Sequence, residues 1–119
     1  MADGIPVCYN IGVKKSNELT QKILAYIHSK GGYAWRASST GIFDPRRGVF
    51  RSAPKKGVSD ILACYRGRLI AVEVKIGRDT LSPEQEGFLL SVNHAGGYAF
   101  VAHTFEEFVN QFTFVDKPA

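Results

Sequence analysis

Two acids and an amine interrupt an otherwise apolar stretch between Gly57 and Lys75: Asp60, Glu73 and Lys75. The intervening residues read as two short strands, Ile61 to Tyr65 and Leu69 to Ile76, rich in β-branched and apolar side chains. Arg66-Gly67 is the turn between them, since glycine takes a positive φ without steric cost. A two-residue turn there pairs Tyr65 with Arg68, and continuing the ladder sets Asp60 opposite Glu73, with Cβ atoms roughly 5 Å apart. A four-residue loop closed by Cys64 and Leu69 gives the same register. A three-residue loop over 66 to 68 would instead place Asp60 opposite Val74. In the first register Asp60, Glu73 and Lys75 share one face, because side chains alternate along a strand.

Like charges set directly across a ladder destabilise it. A divalent cation would remove that cost, and hard cations such as Mg²⁺ take one or two carboxylates and keep several waters. A cation so held polarises a phosphoryl oxygen and acidifies a bound water. Lys75 could then orient or deprotonate that water, or stabilise charge developing on phosphorus. The plainer alternative is a cross-strand salt-bridge cluster at a sheet edge.

The basic residues support the first reading. The chain has 119 residues and a formal net charge of +4. Arg36, Arg46, Arg47, Arg51, Lys55 and Lys56 fall together just before Asp60, opposed only by Asp44. A basic segment beside an acidic pair suits a polyanion, most simply nucleic acid. A solvated loop kept soluble by its charge is the other account of that composition.

Asp60, Glu73-Val74-Lys75 and the preceding Lys56-Gly57 resemble the PD-(D/E)xK nuclease superfamily, and within it the virus-type replication-repair nuclease (VRR-NUC) domain. The resemblance also takes in Glu18, Arg36, Ser39, Gly41 and Gln85, most of the chain. One departure is Ser59, where the family usually has proline. The resemblance implies an α/β restriction-endonuclease-like fold with an αβββαβ core and a mixed central sheet flanked by helices. It implies Mg²⁺ or Mn²⁺ bound by Asp60, Glu73 and the Val74 carbonyl, with Glu18 as a further ligand. Lys75 would activate water, Gln85 would stand near metal and substrate, and Arg36 and Ser39 would hold phosphates. Stand-alone members of this size resemble junction resolvases, which act as symmetric dimers. The expected activity is therefore metal-dependent, structure-selective cutting of branched DNA such as Holliday junctions by a homodimer. A flap or single-strand-end nuclease, or a non-catalytic nucleic-acid-binding domain of the same fold, are the alternatives.

The elements that must position these residues follow from periodicity. Residues 1–119 are expected to form one domain, since the length suits a single core. No stretch reaches the roughly 20 apolar residues of a membrane span or resembles a signal peptide, so an intracellular, cytoplasmic protein of virus or bacterium is expected. Cys8 and Cys64 fit no zinc or redox spacing, and His28, His94 and His103 fit no ligand spacing. Residues 1–15 read as an irregular lead-in. Ser16 reads as the N-cap of a helix to about Ser29, which puts Glu18 in its first turn. Tyr33 to Arg36 is a strand, and Asp44 to Lys56 a long substrate-facing loop.

After the hairpin, Ser82-Pro83-Glu84-Gln85 has the signature of a capping box opening a helix. Tyr98 to Ala102 follows as a strand parallel to the one bearing Glu73, by the right-handed crossover rule. Thr104 to Glu107 is a second capping box for a helix to about Phe112, and 113–119 a tail. Both faces of the hairpin are mainly apolar, so helices should cover both.

Overall fold

The computed structural model describes residues 7–37, 42–51 and 56–117; the side chains of 7–14, 42–44, 50 and 51 lie outside that description. The elements are α1 (Val7–Ser29), β1 (Tyr33–Arg36), β2 (Ile42–Asp44), β3 (Val49–Arg51), β4 (Ile61–Tyr65), β5 (Arg68–Val74), α2 (Pro83–His94), β6 (Tyr98–Ala102) and α3 (Phe105–Asp116). Strands β1, β4, β5 and β6 form one sheet in that spatial order, and β2 pairs with β3 in a second, two-stranded sheet. The β1–β4 and β4–β5 pairs are antiparallel, and the β5–β6 pair is parallel, as the crossover through α2 requires.

The central hairpin has the expected register. Tyr65 pairs with Arg68 and Ile61 with Val72. Arg66 and Gly67 both take positive φ, 51° and 77°, the primed turn whose twist matches the flanking strands. The arginine tolerates that conformation with its guanidinium over the Tyr65 ring, 5.3 Å from the centroid, and 3.3 Å from Asp116 Oδ1.

Alternation along the strands then builds two layers. Ile61, Ala63, Tyr65, Ile70, Val72 and Val74 face the larger core, where Ile23 and Ile27 of α1 and Phe108 and Phe112 of α3 are also buried. Ala71 and half-buried Leu62 face the other way, toward Leu89 and Val92 of α2. No helix among the described residues is long and apolar enough to cross a membrane.

Four expectations require correction. The lead-in is helical from Val7, so Ser16 lies inside α1, its carbonyl accepting a bond from Thr20 Oγ1 at 2.8 Å. Gly12 lowers helix propensity by only about 1 kcal/mol and does not break the run. Glu18 consequently stands in mid-helix and not in a first turn. The basic loop contains the β2–β3 hairpin, turned by Pro45-Arg46-Arg47-Gly48 with Gly48 at φ 65°. The last helix runs to Asp116, because Val115 continues the buried stripe of Phe108 and Phe112. Its start is half a capping box: Thr104 Oγ1 accepts from Glu107 N, whereas Glu107 Oε1 turns to His103.

The fourth correction bears on function. Helix α2 lies over β5 and β6 and reaches β4 at half-buried Leu62, whereas Tyr33 and Trp35 of β1 and Cys64 of β4 are exposed. Among the described residues, that side of the sheet is therefore left open along β1.

Candidate active site

The side of the sheet that faces α2 is a grid. Tyr33 pairs with Cys64 and Cys64 with Leu69; Trp35 pairs with Leu62 and Leu62 with Ala71. Ala37 N donates to the Asp60 carbonyl at 2.8 Å, which carries the ladder one row further. The same register sets Glu73 opposite Asp60. The third row is thus Ala37, Asp60 and Glu73, with the smallest side chain on the outer strand.

Glu73 occupies the centre of the sheet and is only 2% exposed. Its Oε1 accepts from Gln85 Nε2 at 3.1 Å and lies 3.9 Å from Lys75 Nζ. Its Oε2 is buried and, among the described residues, has no partner. Asp60 is half-buried, and its Oδ2 accepts from Val74 N at 2.8 Å, which fixes the carboxylate against the backbone of the opposite strand. Burial above all, and the neighbouring Asp60 carboxyl, push the Glu73 carboxyl up to about 8, while Lys75 opposes the shift. The ionised form of Glu73 is thus disfavoured by its burial and by the acid beside it.

Local sequence explains how each group is held. Gln85 serves both roles open to it: its Oε1 accepts from Ser82 N at 2.9 Å in the capping box, and its Nε2 reaches Glu73. The cap thereby locks the glutamine that holds the acid. Gly57 makes this possible. At φ 82° it lies so close to the start of α2 that a Cβ would meet the Glu84 carbonyl oxygen at 2.3 Å. Next to the aspartate, Ser59 is fully buried, and its Oγ has no partner.

Not every expected residue joins the acids. Glu18 is exposed on α1 and lines a separate shallow depression with Lys15, Lys22, Ile76 and His103. Among the described residues no three acidic, histidine or cysteine side chains converge as a ligand set. Arg36 lies on the opposite side of β1 from Ala37, its Nη1 at 3.4 Å from Asn17 Oδ1 of α1. Arg46 and Arg47 are exposed at the β2–β3 turn, and Lys56 is exposed beside Gly57. Ser39, Gly41 and Lys55 lie outside the described residues, as does the side chain of Arg51. Asn17 and the exposed rings of Tyr33 and Trp35 were not singled out by sequence, and Ser59 was marked only as a departure from the family's proline. Alternation of β1 against Leu62 could have found the rings; nothing local marks Ser59 as buried.

Two carboxylates with an unpartnered buried oxygen fit a hard divalent cation. Mg²⁺ needs one or two protein carboxylates and keeps waters for the remainder. Its charge would reverse the repulsion that raises Glu73.

Neither a family model nor a curated protein sequence matches the chain. Solved structures do. A VRR_NUC domain superposes with a TM-score of 0.59 at 20% identity, covering 88% of this chain and 98% of that one. The Holliday junction resolvase Hjc of Archaeoglobus fulgidus superposes with a TM-score of 0.51 at 22% identity, covering 74% of this chain and 67% of that one. The chain therefore has the restriction-endonuclease-like α/β fold of these two nuclease-type structures, with Asp60, Glu73 and Lys75 gathered on its central hairpin.

Proposed function

We propose that this protein is a metal-dependent deoxyribonuclease that hydrolyses phosphodiester bonds in DNA selected by structure. The observation that carries the reading is the Asp60–Glu73 pair, with Glu73 buried, its Oε2 unpartnered among the described residues and the Lys75 amine 3.9 Å from its Oε1. A salt-bridge cluster would satisfy its acids; here Glu73 Oε2 has, among the described residues, no partner. Asp60 and Glu73 would hold Mg²⁺ or Mn²⁺, with the Val74 carbonyl as the further protein ligand and Glu18 a more distant contributor. The metal supplies Lewis acidity toward the phosphoryl oxygen and the bound water.

The protein's own groups do the remainder. Val74 N–H and Gln85 Nε2 fix the two carboxylates, so little reorganisation is needed when the substrate arrives. Lys75 orients the attacking water or stabilises the growing negative charge on phosphorus. Arg36, Ser39 and the basic residues Arg46, Arg47, Arg51, Lys55 and Lys56 bind flanking phosphates. Such contacts orient a strand without reading its sequence, which favours selection by DNA structure. The similarity to a resolvase structure supports branched DNA as the substrate, cut by a two-fold homodimer that presents two sites to a two-fold junction.

Purified protein and its Lys75→Ala variant, incubated with Mg²⁺ or Mn²⁺ and labelled duplex, flap and four-way-junction DNA, test this directly. The parent should cut the junction at paired positions. The variant should cut about a hundredfold more slowly or worse. Binding by both proteins with cleavage by neither would leave a nucleic-acid-binding domain and no enzyme.

A further inference from the structure

The part of the sheet left open along β1 carries two aromatic rings beside the acids. Tyr33 is 67% exposed and Trp35 40%, on the edge strand β1. Their centroids are 5.6 Å apart with planes inclined by 40°. These rings are braced. His28 meets the Tyr33 ring edge-on, and its Nε2 lies 3.0 Å from the Ala34 carbonyl on the strand between them. Trp35 is paired across the ladder with Leu62. Large exposed rings held in place by a sheet edge mark a contact surface more than a solvated one.

Their distance from the chemistry identifies the contact. Trp35 occupies the row next to Ala37, Asp60 and Glu73, about 7 Å along the strand. A folded protein seated on Trp35 would also cover Asp60 and block approach to the acids. A single nucleotide would not, because its ring can lie flat on the indole while its phosphate reaches the next row. Every base has a π-face, but in a duplex that face is already stacked; only an unpaired base offers it.

We propose that Trp35 and Tyr33 form a stacking platform for an unpaired base, one nucleotide from the scissile phosphate beside Asp60 and Glu73. This rests on the hydrolytic reading above and narrows it. The substrate strand is unpaired where it is cut, as at the centre of an opened branch or beside a flap. Intact duplex enters poorly.

Trp35 is the only tryptophan in the chain, so its emission reports on the platform alone. The full-length protein in EDTA, where no cleavage occurs, is titrated with a single-stranded oligonucleotide, the same strand with abasic sites, and an intact duplex. The base-bearing strand should quench Trp35 saturably, and the abasic strand and the duplex should do so little. Trp35→Leu should weaken single-strand binding by roughly 5- to 100-fold and leave duplex binding unchanged, whereas Trp35→Phe should keep most of the affinity. Equal quenching by the abasic strand, or emission that changes with protein concentration and ignores DNA, overturns the platform. Cleavage of junctions by the parent without any quenching would sink the platform alone. Quenching with no cleavage under either metal would support the platform and sink the hydrolytic reading.

Discussion

Glu73 combines two conditions that a carboxylate resists: it is out of water, and it faces a second acid. Its pKa of about 8 has a thermodynamic consequence. Between its ordinary 4.5 and about 8, the folded protein keeps a proton that the unfolded chain has released. The unfolded state then binds fewer protons, so stability falls as pH rises through that window and levels off above it. Thermal melts in EDTA from pH 5 to pH 9 should show the decline, and Glu73→Gln should flatten it. Ser59 offers a second residue-scale test. Its hydroxyl is buried and unpartnered, so Ser59→Ala should leave stability unchanged or raise it by up to about 1 kcal/mol. A loss of more than that in chemical denaturation would reveal a partner that the hydroxyl does have.

Among the elements, the start of α2 has the tightest tolerance. Gly57 touches the Glu84 backbone in a conformation that few other residues adopt, so Gly57→Ala must displace either the chain before Asp60 or the helix that carries Gln85. A destabilisation of about 2 kcal/mol or more is expected, with cleavage lost in proportion larger than the unfolded fraction. Ser82→Ala removes only the cap and should cost about 1 kcal/mol while loosening the Gln85–Glu73 bond. Denaturant titrations paired with cleavage rates separate these two effects.

Elements whose ends are written in local chemistry were legible in the sequence. Ser82-Pro83 opens α2, and Gly31-Gly32 and Gly96-Gly97 end α1 and α2 alike, with Gly32 N bonded to Ile27 O and Gly97 N to Val92 O. The turn at Arg66-Gly67 set the hairpin register and with it the meeting of Asp60 and Glu73. Elements without such punctuation were misjudged. Nothing before Ser16 announces a helix, since that turn of α1 lacks a regular apolar rhythm. The β2–β3 strands are three residues each, too short for alternation to register.

At the scale of the whole molecule, metal and folding should be linked. A cation that binds the ionised acids stabilises the folded state and displaces the proton that Glu73 retains. Millimolar Mg²⁺ should raise the melting temperature, and by more at pH 8.5 than at pH 6. The shift should vanish in Asp60→Asn. Equal shifts in parent and variant would place the cation elsewhere. The charge layout gives a second whole-molecule expectation: Arg46→Ala with Arg47→Ala, at the exposed β2–β3 turn, should weaken binding to all DNA forms alike. The salt dependence of that binding should become shallower by up to about two counterions.

By itself the sequence determined the pairing of the two acids, because a two-residue turn fixes cross-strand register and alternation fixes the face. It also determined the crossover that makes β6 parallel to β5 and the capping box that presents Gln85. Tertiary packing alone decided how much of that face α2 would cover, and so which rings stay open beside Asp60. It also decided that Arg36 would turn toward α1 and Glu18 stand apart from the acids. The physical reason is one of range. Turns, caps and alternation act between residues a few positions apart, whereas coverage depends on where a twelve-residue helix settles across four strands, which no short segment encodes.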